Sequence, residues 1–166
     1  MNQQPTLPSF GEFVPGEGGR LGGIMRGALI DGVRQPDYAL IVPDLPAVRL
    51  KWGSATEIKG ASSLTDGNAN TYAMLEANCP PAIHVATLKT AEGHSDLYLP
   101  ARGEMWALRA NVPELFDKDW HWTSTQHGRF SAFVQYFEDG HSYWGSKDFD
   151  VLVRPVRRIP LYHVNP

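Results

Sequence analysis

The chain of 166 residues has one cysteine, Cys79, and little excess charge of either sign. A single cysteine cannot form an intramolecular disulfide or a cysteine-based zinc site, and we interpret Cys79 as a small core residue. With 15 basic and 18 acidic residues, the formal net charge is -3. This balance is not typical of proteins that follow nucleic-acid phosphates with a basic stripe. We therefore expect no nucleic-acid partner.

Long apolar runs are also missing. Residues 1–8 are polar and contain proline, which is unlike the apolar segment of a signal peptide or a membrane anchor. The sequence therefore predicts synthesis in a reducing cytoplasm without a signal peptide, and no insertion into a membrane. Such a protein can still act outside the cell when it leaves as part of a larger particle.

Aromatic and apolar residues are plentiful. Hydrophobic residues make up 42% of the chain and charged residues 20%, which is the balance of a globular core. The 5 Trp, 6 Tyr and 7 Phe each bury roughly 150–250 Å² when enclosed, so they can anchor irregular loops. We predict a flexible N-terminal arm over residues 1–9, followed by one domain over residues 10–166.

The first half of the chain predicts a hairpin between loops. Residues 10–23 contain six glycines and are interpreted as loop and turn. Apolar runs at residues 24–30 and 38–42 flank turn-forming residues, which favours two paired strands with a wide turn. The alternation in residues 48–52 predicts a further short strand.

Three short helices are predicted in the middle of the chain. Residues 72–77 follow several capping oxygens in residues 66–71. Residues 82–90 follow Pro81, a residue that suits the first turn of a helix. Residues 102–111 place Met105 and Leu108 on one face.

The last third is rich in strand patterns. Strands are predicted at residues 120–124, 132–137, 143–145 and 151–158, with a hairpin turn at 138–141 because Asp and Gly tolerate positive φ. The whole pattern predicts an α+β fold: a mixed, mainly antiparallel sheet with two or three short helices and long loops.

Several short motifs follow one another in an order that is typical of a known family. They are Leu97-Tyr98-Leu99-Pro100 leading into Arg102-Gly103-Glu104, then Trp122-Thr123-Ser124-Thr125, then Asp139-Gly140, then the closing segment Val153–Arg158. This order resembles the C-type-lectin-fold domains found at the C-terminus of bacterial collagen-like adhesins and in tailed-phage proteins. The match spans residues 66–159. Residues 10–25 and 38–41, and the element Asp66–Thr71, are similar to further parts of the phage forms.

The resemblance implies a C-type-lectin-like fold and a binding role. The same fold is similar to a phage tropism determinant, to variable proteins diversified by retroelements and to the formylglycine-generating enzyme. Only the enzyme is catalytic, and it depends on cysteine chemistry that Cys79 alone cannot reproduce as a pair. The resemblance therefore favours a non-enzymatic, virion-associated protein. Its expected partner is a host surface receptor, protein or glycan, or another virion protein, and self-association into a homo-oligomer such as a trimer is expected.

Metal ligands are not arranged as a site in the sequence. Calcium-binding lectins combine a Gln-Pro-Asp or Glu-Pro-Asn loop with a Trp-Asn-Asp strand. Gln35-Pro36-Asp37 matches in letters, but it lies in the predicted N-terminal hairpin and no Trp-Asn-Asp follows. His127 and His141 lie in neighbouring loops without the spacing of metal ligands. We expect no metal and no cofactor.

Catalytic motifs are diffuse as well. There is no nucleophile elbow or phosphate loop. Arg102 and Glu104 near the start of a helix are interpreted as a charge arrangement that complements the helix dipole. Two alternatives to a binding domain in a virion stay open: a surface-glycan-active enzyme, and a cytoplasmic phage-encoded regulator that binds a host protein.

The predicted binding platform lies between residues 126 and 148. Tyr, Trp and Arg dominate recognition patches because they bury much area and keep a polar end. For Tyr136 and Trp144 the alternative is completion of the core. The late arginines Arg154, Arg157 and Arg158 are interpreted as pairing with carboxylates or covering apolar surface. The candidate ligand-binding residues are His127, Arg129, Tyr136, His141, Tyr143, Trp144, Lys147 and Asp148.

Overall fold

The computed structural model describes residues 7–162. The described residues form eleven strands and three α-helices, with a 3-10 turn at Pro113–Leu115. The strands are β1 (Phe13–Val14), β2 (Gly19–Met25), β3 (Leu29–Ile30), β4 (Val33–Arg34), β5 (Tyr38–Val42), β6 (Val48–Leu50), β7 (Trp120–Gln126), β8 (Ser131–Tyr136), β9 (Ser142–Ser146), β10 (Val151–Val153) and β11 (Arg157–Pro160). The helices are α1 (Gly67–Glu76), α2 (Pro80–Ala86) and α3 (Arg102–Asn111).

Two main sheets organise the domain. One has the strand order β1-β2-β5-β11 and the other has the order β6-β10-β7-β8-β9, while β3 and β4 form a small separate hairpin. All pairs are antiparallel except β10 with β7. The predicted α+β class, with mainly antiparallel strands and short helices, is confirmed.

The core of the five-stranded sheet is built around two tryptophans. Trp52 and Trp122 are fully buried, and each satisfies its indole N–H with a backbone carbonyl. Trp52 donates to Thr123 O at 2.9 Å, and Trp122 donates to Leu50 O at 2.8 Å. The two rings therefore tie the loop after β6 to β7 without leaving a polar atom unpaired.

Helix α3 packs on the other sheet, where a glycine makes room for it. A Cβ added to Gly22 in β2 would lie 2.5 Å from Leu108 Cδ2 and 2.8 Å from Val42 Cγ2. β2 begins at Gly19, so the prediction that residues 10–23 are only loop and turn is wrong in part. Glycine lowers strand propensity, but here it permits a close helix-on-sheet contact.

The predicted N-terminal hairpin is partly confirmed. β2 pairs with β5, with Met25 opposite Tyr38. The first strand of this hairpin, β2, ends at Met25 rather than at residue 30. After it, β3 pairs with β4, and Gly27 N donates to Asp37 Oδ1 at 2.9 Å. The wide turn therefore contains a second, smaller hairpin.

The helices were predicted with unequal accuracy. The prediction for residues 102–111 is confirmed by α3. Helix α1 begins at Gly67, earlier than predicted, because Asp66 is its N-cap and accepts from Ala69 N. Helix α2 ends at Ala86 rather than at residue 90, because Thr87 donates through both its N–H and its hydroxyl to His84 O.

A single strand over residues 151–158 was predicted, and this is wrong. β10 belongs to the five-stranded sheet and β11 to the four-stranded sheet. Between them, Arg154 directs its guanidinium to the carbonyls of Pro43, Leu45 and Leu115, and Pro155 has no N–H to donate. The chain therefore changes sheets at these two residues.

The N-terminal arm falls largely outside the described residues. Leu7 packs against the core of the four-stranded sheet, and residues 1–6 and 163–166 are not described. None of the helices within residues 7–162 has the length and apolar character that a membrane span needs.

Candidate functional site

The most prominent exposed feature is an aromatic surface on the last strands of the five-stranded sheet. Strand β9 is the outermost strand of that sheet. It carries Tyr143, 44% exposed, and Trp144, 61% exposed, and Phe149 in the turn after it is 59% exposed. We call this surface the aromatic edge, comprising Trp120, Phe133, Tyr136, Tyr143, Trp144 and Phe149.

One face of the aromatic edge forms a shallow apolar groove of about 440 Å³. Trp120 stacks on Tyr136 with ring centroids 4.5 Å apart, and meets Tyr143 edge-on at 5.1 Å. These rings lie on one face because Trp120 is opposite Tyr136 in the β7–β8 register. The groove is lined by Trp120, Val134, Tyr143, Trp144, Gly145, Phe149 and Val151.

The opposite face combines aromatic rings with a cation. Phe133 lies opposite Trp144 in the register of β8 and β9. The His127 ring stacks on Trp144 at 4.6 Å. The Arg102 guanidinium lies 4.0 Å from the Phe133 ring centroid and 4.7 Å from that of Trp106 on α3. An exposed cation–π contact of this kind holds the side chains in place and contributes about 0.5–1 kcal/mol.

The backbone of β9 is open along the outer side of the sheet. Tyr136 N donates to His141 O, and Lys147 N donates to Phe130 O. With Val134 opposite Tyr143, the odd-numbered residues of β9 bond to β8. The N–H and C=O groups of Ser142 and Trp144 therefore point away from β8, as alternate residues of an antiparallel edge strand do.

Four predicted residues lie together in the aromatic edge and beside it. Tyr136, Tyr143 and Trp144 belong to it, and His127 stacks on Trp144. The alternative that Trp144 completes the core is wrong, since the side chain is exposed. Tyr136 is half-buried against Trp120, and its hydroxyl donates to Glu138 Oε2 at 2.8 Å.

His141 lies at the tip of the β8–β9 hairpin, where the turn was predicted. Gly140 has φ +84, the conformation that favours glycine there. The His141 ring lies 5.6 Å from that of Tyr143, and its Nδ1 is 2.7 Å from Asp139 Oδ2. This residue is therefore at one end of the aromatic edge.

The predicted exposure of Lys147 is wrong. The residue is 1% exposed, and its ammonium donates to Thr56 O and Gln126 Oε1 beneath the sheet, 4.6 Å from the Trp52 ring. Its long apolar stem fits the core while two acceptors satisfy the charge. Arg129 is exposed but reaches away to Ala55 O, and Asp148 is exposed in the turn after β9.

A second concave feature lies on the other sheet. We call it the Arg158 cleft, a cavity of about 500 Å³. Its floor contains Tyr38 and Tyr98, with Arg158 5.0 Å and 5.6 Å from their ring centroids. It is lined by Arg26, Gly27, Ala28, Ile30, Gln35, Pro36, Tyr38, Thr65, Asp66, Asn68, Asp96, Leu97, Tyr98, Arg158 and Pro160.

Glu104 is buried under this cleft and is fully hydrogen-bonded. Its Oε1 accepts from the hydroxyls of Tyr38 at 2.7 Å and Tyr98 at 2.8 Å. Its Oε2 accepts from Gly67 N at 3.2 Å and Ala101 N at 2.8 Å. Burial raises the pKa of Glu104, and these hydrogen bonds oppose the rise. Burial, and next the Glu104 charge, raise the pKa of both tyrosines, which keeps them as donors.

The role of Glu104 agrees with part of the sequence interpretation. The carboxylate accepts from the N–H of Ala101, the residue before α3, as a group in the first turn of a helix can. It also joins α1 to α3 through Gly67 N. The sequence interpretation placed the carboxylate in the first turn of the helix but named neither contact, and Gly67 is 37 residues away.

Several site residues were missed by sequence reasoning. The helical spacing could have identified Trp106 as exposed, since it lies off the face of α3 that carries Met105 and Leu108. Trp120 and Phe133 lie at strand positions where alternation does not distinguish a core face from an open groove. The members of the Arg158 cleft have no local signal, because distant segments bring them together.

The histidines and carboxylates of the described residues are not grouped as metal ligands. Within residues 7–162 no group of three or more His, Cys, Asp or Glu side chains is placed to hold a metal ion. His127 follows β7 and His141 precedes β9, so the two histidines lie at opposite ends of β8. Asp37 of the Gln-Pro-Asp triplet accepts a backbone hydrogen bond from Gly27.

No protein-family model matches the chain, and no curated protein matches it in sequence. The resemblance of residues 66–159 to C-type-lectin-fold domains therefore stays a prediction.

Proposed function

We propose that this chain is a non-enzymatic interaction domain that binds a protein partner through the aromatic edge. The observation that carries the proposal is the exposure of Tyr143 and Trp144 on the outermost strand, beside a groove of apolar residues. Exposed Tyr and Trp in a concave, rigid setting are the residues that contribute most to protein interfaces. Strands β7, β8 and β9 hold them on a continuous sheet.

A protein partner is better supported than a glycan. The groove walls are apolar side chains, whereas a sugar needs several directed polar groups to orient its hydroxyls. The outward N–H and C=O groups of Ser142 and Trp144 suit the addition of an extended segment to the open edge. Such a segment would place alternate side chains into the groove beside Tyr143 and Phe149.

The biological setting that we propose is a phage virion. The resemblance of residues 66–159 to domains of tailed-phage proteins and bacterial adhesins supports a tail or head decoration protein. In that setting the partner is a host surface protein or another virion protein, and the domain self-associates. Mass spectrometry of purified particles should find this chain, and particles without it would contradict the setting.

Two alternatives have less support. An enzyme acting on surface glycans would need a carboxylate free to exchange a proton with substrate, while both oxygens of Glu104 accept from protein donors. A cytoplasmic regulator would use the same aromatic edge. It differs by its location, so binding to intact host cells or to virions argues against it.

The binding site can be tested by photo-crosslinking. A benzophenone amino acid at position 144 should crosslink one defined protein from host envelopes or virions, identified by mass spectrometry. The same label at Tyr72, which is 65% exposed on α1, is the matched control. Trp144→Ala should weaken capture of that protein at least about tenfold, as loss of an interface tryptophan does. Equal crosslinking from both positions, or binding to glycan arrays alone, would contradict the proposal.

A further inference from the structure

The three arginines near the C-terminus have very different surroundings. Arg157 is nearly buried and pairs with Asp96 through Nε at 2.8 Å and with Glu17 through Nη1 at 2.7 Å. Arg154 donates to three backbone carbonyls. Among residues 7–162, Arg158 donates one hydrogen bond, from Nη2 to Asp66 Oδ1 at 3.3 Å. Arg154 and Arg157 therefore each donate three or more hydrogen bonds to the described residues, and Arg158 donates one.

Arg158 has the fewest hydrogen bonds of the three guanidiniums within the described residues, and it faces the cavity. Its side chain is 30% exposed and lies over the Tyr38 and Tyr98 rings, on the floor of the Arg158 cleft. Among residues 7–162, the hydrogen bond to Asp66 is the one that Arg158 makes with good geometry. Burial raises the pKa of the nearby Tyr38 hydroxyl, and the interaction of that hydroxyl with the guanidinium opposes the rise. A guanidinium held by ring contacts at a cavity is well suited to a carboxylate or a phosphate group.

The acidic groups of the cleft are already occupied. Both oxygens of Asp96 accept from Arg157. Asp66 Oδ1 accepts from Ala69 N and from Arg158. Glu104 accepts four hydrogen bonds below the floor. These contacts offset the negative charge of the three carboxylates, and the charged donors that line the cleft belong to Arg26 and Arg158.

The rim of the cleft adds a second cation and apolar contact area. Arg26 is exposed at the rim and has no ion pair with any residue in the described part of the chain. Ile30, 53% exposed, Pro36 and Pro160 supply apolar walls. A cavity of about 500 Å³ falls within the range of small-molecule sites.

We propose that the Arg158 cleft binds a small organic anion, with its carboxylate or phosphate group on Arg158 and its apolar part against Ile30, Pro36 and Pro160. Arg26 lies at the entrance and attracts the anion. This site is separate from the aromatic edge and belongs to the other sheet. The two sites can therefore be tested independently.

The test is an NMR titration of the ¹⁵N-labelled full chain at constant ionic strength. The probes are benzoate, phenyl phosphate and, as the neutral control of similar shape, benzamide. At least one anion should shift the amide signals of Gly27, Asn68 and Leu97 in a saturable way, at least about tenfold more tightly than benzamide. The anion that binds more tightly identifies the head group as carboxylate or phosphate.

Substitutions test whether the anion binds to Arg158. Arg158→Gln should weaken anion binding about tenfold or more, and Arg26→Gln about threefold, because the first removes direct donors and the second a charge at the rim. Arg49→Gln, on β6 of the other sheet, is the matched control and should change nothing. If Arg158→Gln does not fold, the anion affinity of Arg26→Gln and the comparison with benzamide test the proposal instead.

The proposal is overturned by any of three results. They are no saturable shift with either anion, shifts located outside the cleft, and no anion that binds more tightly than benzamide. Unchanged anion affinity in a folded Arg158→Gln protein would overturn it as well.

Discussion

The aromatic edge and the Arg158 cleft differ in how their side chains are held. The aromatic edge comes from residues 120–149, a nearly continuous segment of three antiparallel strands and their turns. Its side chains touch through ring contacts and are exposed or half-buried. The Arg158 cleft combines residues from β5, β11 and the segments before α1 and α3, and each carboxylate in it is held by named donors.

This difference separates exposed rings, which contribute little to the fold, from buried groups that support it. Exposed rings can be removed with little effect on the core, because water already covers most of them. A buried carboxylate that accepts four hydrogen bonds leaves four unsatisfied donors when it is removed. Substitutions in the two regions should therefore have effects of very different size.

The largest effect is expected for Glu104→Leu. The substitution leaves Gly67 N, Ala101 N and the two tyrosine hydroxyls without their acceptor. We expect a loss of about 3–5 kcal/mol in the free energy of unfolding, measured by urea denaturation. Glu104→Gln should lose less, since one oxygen remains an acceptor.

Exposed Glu76 on α1 provides the control, and Glu76→Gln should stay within about 0.5 kcal/mol of the parent. A Glu104→Leu protein as stable as the parent would mean that the carboxylate does not join α1 to α3.

The second largest effect on stability is expected from lowering the pH, through His121 in the sheet that carries the aromatic edge. Burial lowers the pKa of His121 from 6.5 to about 4, and its Nε2 has no hydrogen-bond partner among residues 7–162. Between these pH values the unfolded chain binds the proton and the folded chain does not, so the free energy of unfolding falls as the pH falls. The loss across this window should reach roughly 2–3 kcal/mol.

The measurement is urea denaturation at pH 7, 6, 5 and 4.5, with His121→Gln as the comparison. The variant cannot take up that proton, so its stability should depend less on pH across the window. Parallel pH profiles for the two proteins would show that His121 is not responsible.

The two neighbouring arginines offer a matched test inside the four-stranded sheet. Arg157→Gln should lower the free energy of unfolding by about 2 kcal/mol, since it removes a nearly buried partner of Glu17 and Asp96. Arg158→Gln should lose no more than about 1 kcal/mol, because its single ion pair is long and partly exposed. Equal losses would mean that Arg158 is as much a structural residue as Arg157.

The smallest effect on stability is expected at the aromatic edge. Trp144→Ala removes a side chain that is 61% exposed and stacks on His127. We expect a change within about 1 kcal/mol in urea denaturation, although partner capture should fall strongly. A loss comparable to that of Glu104→Leu would make Trp144 a core residue and remove the contrast between the two regions.

Local patterns predicted much of the fold. The α3 boundaries, the strands over residues 120–146 and the Asp139-Gly140 turn follow from spacing and turn chemistry. The predictions that were wrong concern glycine-rich β2 and the change of sheets at Arg154 and Pro155. Both depend on which distant element packs there, which no local window contains.

By itself, the amino-acid sequence determined the α+β class, the late run of antiparallel strands and the aromatic residues at their edge, because alternation, capping and turn residues act within a few positions. Only the tertiary structure decided that Lys147 is buried, that Trp144 is exposed and that Arg158 lies in a cleft. The physical reason is that burial and hydrogen-bond partnership depend on segments far apart in the chain. Glu104 makes both kinds of contact. Its hydrogen bond from Ala101 is local in the sequence, whereas those from Tyr38 and Gly67 join segments far apart.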